Sequence, residues 1–124
     1  MKLEWKNDNA DIGYYKCTVT DDDGYKQDIS LRDYTCEYQR ERKAEDRIYN
    51  KYHPEAYEVS YCNGYSMHET FDDSHTLEFV KVWCEDYLLD KYIDYYNDII
   101  ADLEKIKSKA EWAIQFKKDR LNNT

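Results

Sequence analysis

Five aspartates stand four residues apart in this chain: Asp86, Asp90, Asp94, Asp98 and Asp102. On an α-helix that spacing sets a carboxylate every ~6 Å along the axis, each turned ~40° from the last. Such a row could present regular negative charge to a basic groove, as a nucleic-acid backbone does. Like charges four apart weaken an isolated helix slightly, so the row must be favoured or tolerated for another reason. A solvated helix face is the plain alternative, with acids toward the N-terminus suiting the helix dipole. The six basic residues that follow (Lys105, Lys107, Lys109, Lys117, Lys118, Arg120) fit that account equally well.

A second acidic row runs Asp33, Glu37, Glu41, Glu45, with Tyr34 and Tyr38 beside it. Glu41 and Glu45 project into the tyrosine face, and a carboxylate buried without partners is costly. This face therefore reads as part-exposed. It is either a tyrosine-carboxylate patch suited to an arginine-rich protein or a helix whose tyrosines lie flat on a sheet edge. Asp21, Asp22 and Asp23 fall at a hairpin tip, where Asp and Gly are ordinary turn residues; alternatively they add a negative point to the partner-binding surface or a weak cation site. They lack the spacing of a calcium loop.

Catalytic motifs are missing from the sequence. Three glycines cannot make a nucleophile elbow, a phosphate loop or a dinucleotide fingerprint. Of His53, His68 and His75, none stands in metalloprotease spacing; a loop site from His68, His75 and Asp72 or Asp73 is the best metal arrangement on offer. Cys17, Cys36, Cys62 and Cys84 form no CxxC pair and read as small buried apolar side chains. The expectation is no catalytic residue, no cofactor and no metal.

These residues need elements to position them. Leu3 and Trp5 alternate with polar neighbours as a short strand. Tyr15, Cys17 and Val19, then Gln27, Ile29 and Leu31, flank Asp22-Asp23-Gly24. A three-residue loop with Gly24 left-handed pairs Cys17 with Ile29 and Tyr15 with Leu31. Asn63-Gly64 signals a second hairpin with a two-residue turn, Tyr57, Val59 and Tyr61 leading in and Tyr65, Met67 and Phe71 leading out. Between them, 33–52 reads as a helix stopped by His53-Pro54. Residues 76–84 fit either strand or helix. From Glu85 to about Leu121, apolar residues recur at alternating steps of three and four, among them Leu89, Tyr92, Tyr96, Ile99, Leu103 and Ile106. Such a helix is roughly 50 Å long; it either breaks near 105–109 or packs on another chain. The fold class is α+β: one domain over 1–124, a small antiparallel sheet of two hairpins plus an N-terminal strand (1–72), packed by two helices. The C-terminal one, 85–121, is a long helix or a helical hairpin.

The chain carries 27 acidic and 18 basic residues, net −9. That opposes direct binding to nucleic acid or to an anionic membrane. Residues 1–74 are net −7, 75–104 net −6 and 105–124 net +4. Fourteen tyrosines against three phenylalanines supply ring area with a polar tip, a common contact chemistry. No stretch approaches the ~18 apolar residues of a membrane span, and no apolar run follows Lys2 as in an export signal. A cytoplasmic setting is expected, that of a bacterial host if the gene is a phage's. The functional expectation is a non-enzymatic acidic protein that occludes a basic, nucleic-acid-handling surface on a partner protein. Phage inhibitors of restriction or CRISPR systems act in this way by DNA mimicry. One alternative is an assembly protein that self-associates as a homodimer through 85–121, acidic half against basic half. Another is a carboxylate-metal enzyme.

Overall fold

The computed structural model describes residues 1–7, 9–45 and 55–123. Five strands form one antiparallel sheet in the order β1-β2-β3-β4-β5: β1 Lys2–Asn7, β2 Tyr14–Thr20, β3 Lys26–Asp33, β4 Tyr57–Tyr61 and β5 Met67–Phe71. Helix α1 spans Glu37–Glu45 and α2 spans Leu77–Asn122. The chain divides into two compact units, residues 1–89 and 90–124. The fold is α+β, with the long C-terminal helix expected from the periodicity.

Alternation sets the sheet. Cys17 pairs with Ile29, Tyr15 with Leu31 and Ile29 with Tyr61, so one face collects Cys17, Val19, Ile29, Leu31, Val59 and Tyr61, all buried. A slip of one residue would turn every one of them to the other face. The β2–β3 loop closes with a hydrogen bond from the Asp21 amide to the Tyr25 carbonyl (3.1 Å). Gly24 sits at φ +88, a conformation that costs glycine little.

The first part of α2 covers this face. Thr76 starts it: its hydroxyl accepts from the Phe79 amide (3.1 Å), a side-chain cap for an otherwise unsatisfied N–H. Residues 77–84 are thereby helical. Val80, Cys84 and Leu88, four apart, are fully buried. Burying such a Val or Leu contributes ~1.5–3 kcal/mol. Around them Trp83 meets Phe71 (5.3 Å between ring centroids), Tyr87 meets Tyr61 (5.3 Å), and the Trp5 indole donates to Glu85 (2.9 Å).

Three local expectations need correction. Helix α1 begins at Glu37, four residues later than the pattern suggests. Asp33 is the last residue of β3, and its carboxylate accepts from the Thr35 amide and hydroxyl. That Asx-type turn competes with helix and removes Tyr34 from the helix. The remainder of the expected helix, with Ile48, Tyr49, Tyr52 and the His53-Pro54 stop, lies outside the described residues. The β4–β5 connection is no two-residue turn: Tyr61 pairs with Met67, and a 3-10 turn at Cys62–Gly64 occupies the loop. Cys62 and Gly64 are both left-handed (φ 53 and 86), and Tyr65 is exposed rather than part of β5. Third, only two of the four cysteines are buried as expected: Cys17 and Cys84 are in the core, whereas Cys36 is half-buried and Cys62, in the β4–β5 loop, is exposed. Of the two alternatives for the C-terminal segment, α2 takes the long helix, uninterrupted through 105–109, and not the helical hairpin. Among the described residues, no helix is long and apolar enough to cross a membrane.

Candidate functional site

Gln39 fastens α1 to the β1–β2 turn. Although polar, it is 1% exposed. Its amide donates to Asp11 Oδ1 (2.6 Å) and to the Ile12 carbonyl (2.7 Å), and its oxygen accepts from Arg32 (3.2 Å). Tyr38 donates its hydroxyl to the Ala10 carbonyl (3.2 Å). Tyr34 is half-buried, its hydroxyl pushed up to about 12 first by burial and then by Glu58. These two tyrosines therefore help to hold unit 1–89 together. Glu37 and Glu41 are exposed on α1; the Glu45 side chain lies outside the described residues. At the hairpin tip the Asp21 carboxylate accepts from the amides of Asp23 (3.0 Å) and Tyr25 (2.9 Å), which shapes the turn, while Asp22 and Asp23 face solvent.

The histidines and acids weighed as a loop metal site diverge. His68 approaches Glu58 (3.7 Å) across the strands. His75 stacks on Phe79 (4.7 Å). Asp72 accepts from the Ser74 hydroxyl and amide, bonds that hold its carboxyl below the usual range. Among the described residues no three His, Cys, Asp or Glu converge as a metal would require.

The aspartate row is intact on α2. Asp86, Asp90, Asp94, Asp98 and Asp102 are all exposed. Asp86 belongs to unit 1–89 and the other four to unit 90–124. Because each step turns ~40°, the row winds from one side of the helix toward the other. Asp94 lies opposite Leu103, and Asp102 reaches the flank of the apolar side.

That apolar side is the larger feature. Between Ile93 and Leu121, ten large apolar side chains are 38–68% exposed. Written as heptads with Tyr96, Leu103 and Ala110 at position a, the d positions hold Tyr92, Ile99, Ile106 and Ala113. The e positions add Ile93, Ile100 and Ile114. These isoleucines widen the a/d seam on one flank, except at Lys107, which holds the e position between Ile100 and Ile114. Rings cluster at one end of it, Tyr92 on Tyr96 (4.9 Å) and Tyr95 on Tyr96 (5.1 Å), whereas Trp112, stacked on Phe116 (5.3 Å), stands at position c on the opposite side of the helix. An apolar patch of this extent marks a contact surface. The a and d positions were legible in the sequence. The e-position isoleucines were missed, although each stands one residue after a d position.

Charge separates the units sharply. Residues 1–89 are net −9 and residues 90–124 net zero; within the latter, 90–104 are −4 and 105–124 are +4. Comparison with protein-family models, with curated protein sequences and with solved structures finds no match.

Proposed function

We propose that this chain is a non-enzymatic assembly protein that docks the apolar side of helix 90–121 on another helix and so displays the acidic sheet unit. The observation that supports this is the exposed a/d/e stripe. In unit 1–89 the same α2 buries Val80, Cys84 and Leu88 completely, whereas Leu103 and Ile106 are 59% and 63% exposed. Leaving such side chains in water forgoes ~25 cal/mol per Å² of burial, and contact with a complementary helix recovers it.

A second reading is favoured by the aspartate row. All five carboxylates are exposed, and the whole net charge of the protein resides on residues 1–89. In this reading the acids occlude a basic, nucleic-acid-handling surface of a partner protein, competing with phosphates for its Lys and Arg side chains.

Photo-crosslinking in the expressing cells separates the two. A benzophenone amino acid replaces Ile106 on the apolar side in one variant and Asp94 on the acidic side in another. The assembly reading expects a protein adduct from position 106 and none from 94. Adducts from 94 alone would replace it with the acidic-inhibitor reading.

A further inference from the structure

We infer that the helix docked on 90–121 is the same segment of a second copy, antiparallel, with the two-fold axis passing between Glu104 and Lys105. The inference rests on the helix-docking reading above and names its partner.

Three properties of the segment select this arrangement. Charge is the first. The change from −4 to +4 falls at 104/105, so an antiparallel pair centred there sets each acidic half against a basic half. A parallel pair would set like against like, which costs affinity.

Heptad register is the second, and it is independent of the charges. Antiparallel helices pack position a of one against position d of the other. Centring at 104/105 opposes Leu103 to Ile106, Ile99 to Ala110, and Tyr96 to Ala113, each an a–d layer. A shift by any number of residues other than a multiple of seven destroys this match.

Side-chain volume is the third. In the three central layers the acidic half carries the large seam residues Tyr96 and Ile99 and the basic half the small ones, Ala113 and Ala110; further out, Tyr92 meets Lys117, whose stem can lie along the ring. Large against small fills a layer without voids or overlap. Parallel pairing would put tyrosine against tyrosine at one end and alanine against alanine at the other.

The flanks agree. Antiparallel helices pair g with g and e with e. In this register Asp102 meets Lys109 of the second copy, Tyr95 meets Phe116, and Ile93 meets Ile114, each twice by symmetry. Moving the register by seven residues would instead pair Asp102 with Asp102 or Lys109 with Lys109. About eight half-exposed apolar side chains per chain would bury roughly 800 Å² on each copy, the standard size of a stable interface.

The test is sedimentation equilibrium of the full chain, with charge exchange at one pair. The wild type is expected at twice its 15.1 kDa. Asp102→Lys and Lys109→Asp each turn two attractive pairs into two repulsive ones, and each is expected to raise the dimer Kd about tenfold at low salt. The double variant Asp102→Lys/Lys109→Asp is expected to restore the wild-type Kd. A dimer whose Kd ignores both single changes, or is not restored by the double, would overturn the antiparallel register. A monomer at every concentration would overturn the second copy as partner. If position 106 nevertheless crosslinked to another protein, helix docking itself would stand.

Discussion

Leu88 and Leu103 are the same side chain on the same helix, yet Leu88 is fully buried and Leu103 is 59% exposed. The difference belongs to the regions, not to the residues. In unit 1–89 the helix meets a sheet whose inner face was built by strand alternation, so Val80, Cys84 and Leu88 find Cys17, Ile29 and Val59 within the same core. In unit 90–124 the apolar period continues, and Ile99, Ile100, Leu103 and Ile106 face water. An amphipathic pattern specifies a face to be covered. It does not specify whether the cover comes from the same chain.

Substitution at the two leucines breaks the comparison most forcefully. Leu88→Ala should lower the unfolding free energy by about 3 kcal/mol through lost burial and a residual cavity. Leu103→Ala should change the unfolding of the dilute chain by less than about 0.5 kcal/mol, as surface positions do. Urea titrations followed by tryptophan fluorescence measure both. Equal losses would mean that the two regions share one core.

Gly13→Ala should cost about 2 kcal/mol by the same assay. Gly13 holds φ +83, and an added Cβ would stand 2.5 Å from Cys36 Sγ and 2.8 Å from Gln39 Cγ. The α1 attachment would have to move to admit it.

Alkaline pH should also act on the sheet unit alone. Burial, with Glu85 nearby, pushes the Cys17 thiol up to about 12, and burial foremost does the same for Cys84. An unfolded thiol ionises near 9, so between about 9 and 12 the unfolded chain holds fewer protons than the folded one. Stability is therefore complete below pH 9 and falls as pH rises toward 12, by roughly 1 kcal/mol per pH unit for each thiol. Thermal melts at pH 8 and 10 should show a drop that Cys84→Ala reduces.

The smallest effect is at the helix start. Thr76→Ala removes the hydroxyl that accepts from the Phe79 amide and should cost about 1 kcal/mol. A loss below a few tenths would show that packing alone fixes where α2 begins.

The β2–β3 register was legible because two independent signals agreed, the alternation of Cys17, Val19, Ile29 and Leu31 and the glycine at 24. Where one signal stood alone, it misled. Asn63-Gly64 has the composition of a tight turn, but the left-handed position falls on Cys62 as well as Gly64 and lengthens the loop. Asp33 fits a helical row of acids, but its carboxylate is spent on the turn that ends β3. The start of α2 was ambiguous because Leu77, Phe79, Val80 and Val82 suit a strand or a helix, and the Thr76 cap decides it. Gln39 was invisible, because its burial depends on Asp11 and Ile12, far away in the chain. On the candidate site, the aspartate row was readable from spacing alone. The exposure of the apolar stripe was not, since the same apolar period runs through the buried and the exposed parts of the helix.

Hydrogen exchange read by mass spectrometry, at a series of protein concentrations, tests the central contrast most directly. Amides in 77–89 should show protection that does not change with concentration, because their cover is in the same chain. Amides in 95–116 should be weakly protected when dilute and become strongly protected as concentration rises, because theirs comes from a second copy. Protection in 95–116 that stays constant across the series would contradict the account.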